Sequence, residues 1–236
     1  MSIPPSEAVE KLARVRQRIE QAAARSQRGA DEITLIAVSK MHSAAQIREL
    51  YEAGVRHFGE NRVQEWESKR ANLVDLDATW HMIGHLQSNK AARAAKLFHC
   101  VDSVDDFALA QRLDRARVEA GITGKQRALI EVRVAPEETK SGVEIAELPA
   151  LAENVADLPR LELAGLMCIP PLLEQTEKVR PFFRRLRELL EELRPKLGLA
   201  LPVLSMGMSH DFEVAIEEGA TEVRVGTALF GTRSAG

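Results

Sequence analysis

Eight short apolar segments recur along the chain, and each is followed by a stretch with helical spacing. The segments are "TLIAVSK" (34–40), "VRHFGEN" (55–61), "TWHMIGH" (79–85), "HCVDSV" (99–104), "RALIEVRV" (127–134), "LELAGLMCI" (161–169), "LPVLSMG" (201–207) and "ATEVRVGT" (220–227). They lack clean polar alternation, as parallel strands buried on both faces do. Strand–helix alternation builds right-handed βαβ units. Eight such units in about 200 residues match a (β/α)8 TIM barrel. An open, doubly wound sheet is the structural rival. Residues 6–27 add a helix before the first strand. No Pro/Gly/Ser-rich linker divides the 236 residues, so residues 1–236 read as a single barrel domain.

The helices carry their own signals. Ser43 with Gln46 is a capping-box pattern ahead of Ala44, Ile47, Leu50 and Tyr51, and Gly54 stops that helix. Ser103 with Asp106 reads as a cap for "FALAQRLDRARVEAG". Residues 62–73 and "SNKAARAAKLF" read as helices, as does "ELPALAENVADL", bent or restarted at Pro149. In "EKVRPFFRRLRELLEELRPKL" one apolar stripe runs through Val179, Phe182, Phe183, Leu186, Leu189, Leu190 and Leu193. The charges of "RRLRELLEELRPK" read as a solvated face with i,i+4 pairs.

Several function classes are disfavoured. Net charge is −3 and aromatics are 4%, which argues against nucleic acid and anionic membranes as partners. No segment approaches the roughly 20 apolar residues of a membrane span, and no signal core is present at the N-terminus. A cytoplasmic protein is expected. Cys100 and Cys168 have no metal-type spacing and read as buried, reduced thiols. His81 and His85 are four apart, but along a strand that spacing keeps them apart, so no metal is expected. His210–Asp211 reads as local capping.

In a (β/α)8 barrel the active site lies at the C-terminal ends of the strands. Lys40 stands there after the first strand, Asn61 after the second, Ser205 to Gly207 at the seventh, and Gly226 and Thr227 at the eighth. A partly desolvated lysine has a free amine able to form a Schiff base with an aldehyde, from a substrate or from pyridoxal phosphate. Barrels frequently bind phosphate at the last two strand ends. Gly207 and Gly226 permit close backbone approach there. Ser205, Ser209 and Thr227 offer hydroxyls, and Arg224 can share a face with Gly226. These residues fit a cofactor-binding site or a lysine aldolase whose phosphate sits on the substrate.

The stretches "AVSK", "RHFGENRVQE", "WHMIGHLQSNK", "KSGV", "GLMCIP" and "LSMGMSHDFEVAIEEGATEVRVGTALFG" resemble the YggS/PROSC family of pyridoxal phosphate homeostasis proteins, from about residue 10 to 233. The resemblance implies a fold type III protein, akin to the barrel of alanine racemase, that holds pyridoxal 5′-phosphate as a Lys40 aldimine. It places Asn61 beside the ring. It brings Ser205 and the backbone at Met206 and Gly207 toward the phosphate, and gives Gly226 and Thr227 the phosphate oxygens. Arg224 is a cation near the ring nitrogen or the phosphate. "VRVAPEETKSG" departs from the family's Asn-containing stretch, so Arg133 to Pro136 receive no role.

The implied function is storage, delivery and control of the free cofactor, with cofactor-dependent client enzymes as partners and a monomer as the assembly. Racemase or other weak amino-acid chemistry is the alternative. A racemase of this fold draws a second base, a tyrosine, from another domain. This chain has one tyrosine, Tyr51, placed on a helix stripe, which favours cofactor custody without catalytic residues.

Overall fold

The computed structural model describes residues 6–135 and 141–231. Eight parallel strands follow one another around a closed barrel: β1 (Thr34–Val38), β2 (His57–Glu60), β3 (Thr79–Met82), β4 (Cys100–Val104), β5 (Gln126–Glu131), β6 (Leu161–Met167), β7 (Val203–Met208) and β8 (Glu222–Val225). β1 pairs with β8 as well as β2, so the sheet has no edge. That closure excludes the open doubly wound sheet and establishes the (β/α)8 barrel. Outside the strands stand α1 (Glu7–Arg25), α2 (Ala44–Glu52), α3 (Val63–Arg70), α4 (Ala91–Leu97), α5 (Phe107–Glu119), α6 (Leu148–Ala156), α7 (Arg180–Leu197), α8 (Phe212–Glu217) and α9 (Thr227–Phe230).

Local chemistry sets the helix ends. Ser43 Oγ accepts from Gln46 N at 3.3 Å while Gln46 Oε1 accepts from Ser43 N at 3.0 Å, completing the capping box of α2. The cap of α5 is Asp106, whose carboxylate accepts from Leu109 N at 2.7 Å. Ser103, the expected cap, lies inside β4 and donates to the Gly84 carbonyl at 2.7 Å. α6 starts at Leu148 with Pro149 in its first turn, where a missing N–H is no loss, so the helix is neither bent nor restarted. Asp211 holds the cap position of α8 but makes no side-chain bond to the helix amides.

The core lies mostly between strands and helices. α7 buries Phe183, Leu186, Leu189, Leu190 and Leu193, each contributing about 1.5–3 kcal/mol. Its other face carries the expected charges, and Arg180, Arg184 and Arg187 converge on Glu218 behind α8. Inside the barrel, Leu129, Ala164, Met167 and Val203 form a second, smaller apolar cluster. Ile36 and Ile83 meet over Gly59 and belong to neither cluster, and much of the remaining interior is polar. On β8, Val223 and Val225 join the outer core, whereas Glu222 and Arg224 are buried without joining either apolar cluster. Gly165 marks the tightest passage: a Cβ there would lie 1.8 Å from the Val203 carbonyl oxygen. No helix among the described residues is long and apolar enough to cross a membrane.

Candidate functional site

The turn that carries Lys40 is tied down from below. Ser39 N extends the β1–β2 ladder by donating to the Gly59 carbonyl at 2.9 Å. Lys40 follows, half-buried, and Met41 then takes the left-handed conformation, φ 63°, that turns the chain toward α2. Lys69 of α3, only 8% exposed, reaches under this turn. Its Nζ donates to the Ser39 carbonyl at 2.8 Å and to the His42 carbonyl at 3.3 Å. It also pairs with Glu60 Oε1 at 2.7 Å and Glu65 Oε1 at 3.2 Å. Glu65 accepts from Met41 N, and Glu60 accepts from Ser39 Oγ at 2.6 Å. Burial pushes the Glu60 carboxyl pKa up, against the pull of Lys69 and Ser39.

Adjacent strands bring the other candidates to the same end. Val38 pairs with Gly59, which sets Asn61 level with Lys40. On the other side Gly226 packs against Val38, and a Cβ on it would sit 3.4 Å from Val38 Cβ. Ser209 Oγ accepts from both Gly226 N at 3.1 Å and Ala228 N at 3.3 Å, so one hydroxyl gathers two amides at the start of α9. Thr227, the first residue of α9, is exposed. Arg224, two residues earlier, is buried; its Nη1 donates to Ser205 Oγ and its Nη2 to the Cys168 carbonyl, both at 2.8 Å. Lys40, Asn61, Arg224, Gly226 and Thr227 therefore share one stretch of the barrel mouth along β8–β1–β2.

The β7 candidates sit differently. Ser205 is fully buried with Arg224 on its hydroxyl. The Met206 side chain belongs to the outer apolar core. Gly207, at φ 92°, packs on α8, where a Cβ would meet Ala215 Cβ at 2.6 Å and Phe212 Cα at 2.9 Å. Helix packing thus accounts for this glycine. Ser209 stands nearer the amides than any of the three, and only its place just after β7 hinted at that.

Across the barrel, β5 ends in Glu131, 3% exposed. One of its oxygens accepts from Ser141 at 2.8 Å and the other is buried without a partner among the described residues. Burial raises its pKa. His85 pairs with Asp105 at 3.3 Å on the same rim. A cavity of about 550 Å³ opens between Asn61, Gly84, His85 and Lys90.

Deeper in the barrel lies an ionic network that the apolar reading of the strands missed. His81 Nδ1 is 2.9 Å from Asp102 Oδ2, His57 Nδ1 is 3.0 Å from His81 Nε2, and Arg127 Nη1 is 2.7 Å from Glu222 Oε1. Burial disfavours the His81 imidazolium, but Asp102 and Cys100 outweigh it and push the pKa up to about 10. Burial and the neighbouring His81 cation push His57 down to about 4. His81, Cys100 and Asp102 are close enough to ligate a metal ion. The Arg127 guanidinium lies 3.2 Å from His81 Nδ1, however, and the carboxylates already have cationic partners, so the set works as a self-neutralised ion network.

Other sequence candidates fall away from the mouth. Tyr51 lies in the last turn of α2 at the opposite face of the barrel, where its hydroxyl accepts from Asp77 N at 3.3 Å and Arg56 covers its ring. His210 meets the Leu173 carbonyl, and Asp211 accepts from Met208 N, so they form no dyad. Arg133 pairs with Glu144, and Pro136 lies outside the described residues. Both cysteines are free and buried, and burial pushes the Cys168 thiol up to about 12.

Comparison with known proteins agrees with this geometry. Residues 11–234 match the family model of the alanine racemase N-terminal domain. A pyridoxal phosphate homeostasis protein of Aquifex aeolicus is 49% identical, covering 96% of this chain and 98% of its own. The Pseudomonas aeruginosa protein of that name is 48% identical, with 96% of each chain covered. The structure of PipY from Synechococcus elongatus with pyridoxal phosphate bound superposes with a TM-score of 0.83 at 44% identity, covering 95% of this chain and 100% of PipY. Alanine racemase of Corynebacterium glutamicum, at 20% identity and a TM-score of 0.68, shares the barrel fold. By its family match and these full-length relatives, the chain belongs to the alanine racemase N-terminal domain family and, within it, to the pyridoxal phosphate homeostasis proteins.

Proposed function

We propose that this chain binds pyridoxal 5′-phosphate covalently through Lys40 and serves to store it, deliver it and control its free concentration. One observation carries the reading: the Lys40 turn abuts the β8 turn where Ser209 Oγ gathers the Gly226 and Ala228 amides. The donors fit the group. A primary amine suits its aldehyde, amides and hydroxyls suit its phosphate, and a guanidinium suits its ring nitrogen.

When bound, the cofactor supplies a ring that can withdraw electrons from an attached nitrogen. The protein's residues hold it and temper that capacity. Gly226, Thr227 and Ser209 hold the phosphate, with the backbone from Ser205 to Gly207 as the adjoining wall. Asn61 lies beside the ring. Arg224 is assigned to the ring nitrogen, because Ser205 and Cys168 fix it two residues below the amides. A guanidinium cannot supply a proton, so it keeps that nitrogen unprotonated and the electron sink weak. Lys69 and Glu60 position Lys40.

The reading includes a single barrel domain acting as a monomer in the cytoplasm, where free thiols persist. Its partners are enzymes that use the cofactor. Purified protein supplied with cofactor is expected to be yellow, and borohydride is expected to fix the label on the peptide containing Lys40. Protein that stays colourless, or label on other lysines only, refutes the proposal.

A second reading, slow amino-acid proton exchange, is favoured by Glu131. It sits on β5, opposite β1 in an eight-stranded barrel, with one carboxyl oxygen unpartnered among the described residues and its acidity weakened by burial.

A further inference from the structure

The strand starts, at the end of the barrel away from Lys40, hold a cavity of about 520 Å³ between α3, α4 and the approach to β5. Its size is that of small-molecule sites, roughly 300–1,000 Å³. Beneath its wall lie buried aromatics: Trp66 and Trp80, 2% and 3% exposed, stack with centroids 3.7 Å apart, and Phe98 adjoins Trp66. Arg70, Lys96, Arg117 and Lys125 line it, against the single carboxylate of Asp77. This excess of cations stands out on a chain whose net charge is −3.

Arg117 is the telling residue. It is 8% exposed, and its Nη1 and Nη2 donate to the carbonyls of Ala95 at 2.9 Å and Gly124 at 2.7 Å. Its Nε is buried without a partner, and no carboxylate lies within ion-pair distance among the described residues. A guanidinium does not deprotonate to escape burial, so an uncompensated one favours an incoming anion. His99, also on the wall, accepts from Trp80 N through Nδ1 at 3.0 Å. That bond fixes its neutral tautomer with Nε2 as a donor.

We propose that this cavity binds a small aromatic oxyanion: a flat ring against Val74, Leu76 and Ile122, above the buried indoles, with its phosphate or carboxylate among Arg117, Lys96, Lys125 and Arg70. The site lies at the other end of the barrel from Lys40, so it is independent of the function proposed above, and both can be filled together.

Trp66 and Trp80 are the only two tryptophans in the chain, so the site carries its own reporter. Titrating the full-length protein with phenyl phosphate and with benzoate, followed by tryptophan fluorescence and calorimetry, tests the proposal. Saturable binding of either anion that moves the tryptophan signal is expected. Benzyl alcohol and inorganic phosphate are expected to bind at least tenfold more weakly, roughly the worth of one well-placed contact. Lys96→Glu/Lys125→Glu, both on exposed positions, is expected to weaken the anion by about tenfold or more through charge reversal. Equal affinity of wild type and double variant, or a tryptophan signal that does not move, overturns the site. Benzyl alcohol binding as tightly as phenyl phosphate overturns the anion, and inorganic phosphate doing so overturns the ring.

Discussion

Lys69 Nζ lies 2.7 Å from Glu60 Oε1 and 2.8 Å from the Ser39 carbonyl, so one buried ammonium joins the end of β2 to the turn that presents Lys40. Removing one partner of a buried ion pair strands the other and costs about 3–5 kcal/mol. Lys69→Met is therefore expected to lower the unfolding free energy by about that much. Glu60→Gln/Lys69→Met is expected to recover part of it, because the buried Glu60 charge is no longer stranded and Glu65 is part-exposed. Denaturant unfolding checks the stability. Cofactor retention should fall in the single variant even under conditions where it is fully folded, because the Lys40 turn has lost its anchor. Retention unchanged in both variants would remove Lys69 as a positioning residue.

Gly226 and Gly84 should respond differently to alanine. At Gly226 a Cβ meets Val38 only at ordinary contact distance, 3.4 Å, and φ is −113°. Gly226→Ala is expected to keep stability within about 1 kcal/mol, as substitutions without a clash do, yet to weaken cofactor binding by crowding the amides beside Ser209. At Gly84 a Cβ would lie 2.6 Å from the Asn61 carbonyl oxygen and 2.9 Å from its Cα. Gly84→Ala must move backbone at the barrel mouth, and about 1–3 kcal/mol of lost stability is expected. Thermal unfolding with and without cofactor separates the two. If Gly226→Ala binds the cofactor as wild type does, the phosphate assignment is wrong.

The barrel interior should shape stability against pH. His81 has a folded pKa near 10, above its unfolded value near 6.5, so its contribution is complete below 6.5 and is lost as pH rises toward 10. His57 has a folded pKa near 4, below the unfolded value, so its contribution is present above 6.5 and is lost as pH falls toward 4. Urea midpoints across pH 4–10 are expected to peak near 6–7 on account of these two groups. His57→Gln should flatten the acid limb and leave the alkaline limb. An alkaline limb that also survives in Asp102→Asn would contradict the assignment of that limb to the His81–Asp102 pair.

The same network shows where the sequence is silent. The eight strands, the Ser43–Gln46 box and the α7 stripe are local patterns, so single-chain periodicity reveals them. "EVRV" in β8 is alternating, but Glu222 and Arg224 face a barrel interior whose polarity depends on Asp102, Arg127 and Ser205 from three other strands. Only closure brings those residues together. Lys69 fails to stand out for a related reason: a lysine in "VQEWESKR" looks like an exposed helix position until Glu60 and Ser39 are placed beneath it. Ser103 misleads because a hydroxyl three residues before an acid mimics a cap, whereas β4 runs on through it to Val104. At the mouth, strand ends alone locate Lys40, Asn61, Gly226 and Thr227. The hold of Arg224 on Ser205, and of Ser209 on two amides, needs the fold.

Proton exchange at the α-carbon of amino acids separates custody of the cofactor from catalysis. Tyr51 is tied to Asp77 N at the far face, so it cannot serve as a second base. Glu131 is the carboxyl opposite β1, and burial shifts its pKa upward, toward the range useful for proton transfer at neutral pH. In deuterated water, cofactor-loaded protein is expected to exchange the α-proton of alanine far more slowly than an enzyme turning over at about 10 per second. Whatever exchange occurs should vanish in Lys40→Ala. Glu131→Gln should reduce it further if the carboxylate takes part, and leave it unaltered if Lys40 alone moves the proton. Fast exchange with inversion of configuration, lost in Glu131→Gln at unchanged cofactor content, would make this chain a racemase with Lys40 and Glu131 on opposite faces. Slow exchange in protein that holds its cofactor through Lys40 leaves custody as its role, as the weak electron sink proposed for Arg224 at the ring nitrogen requires.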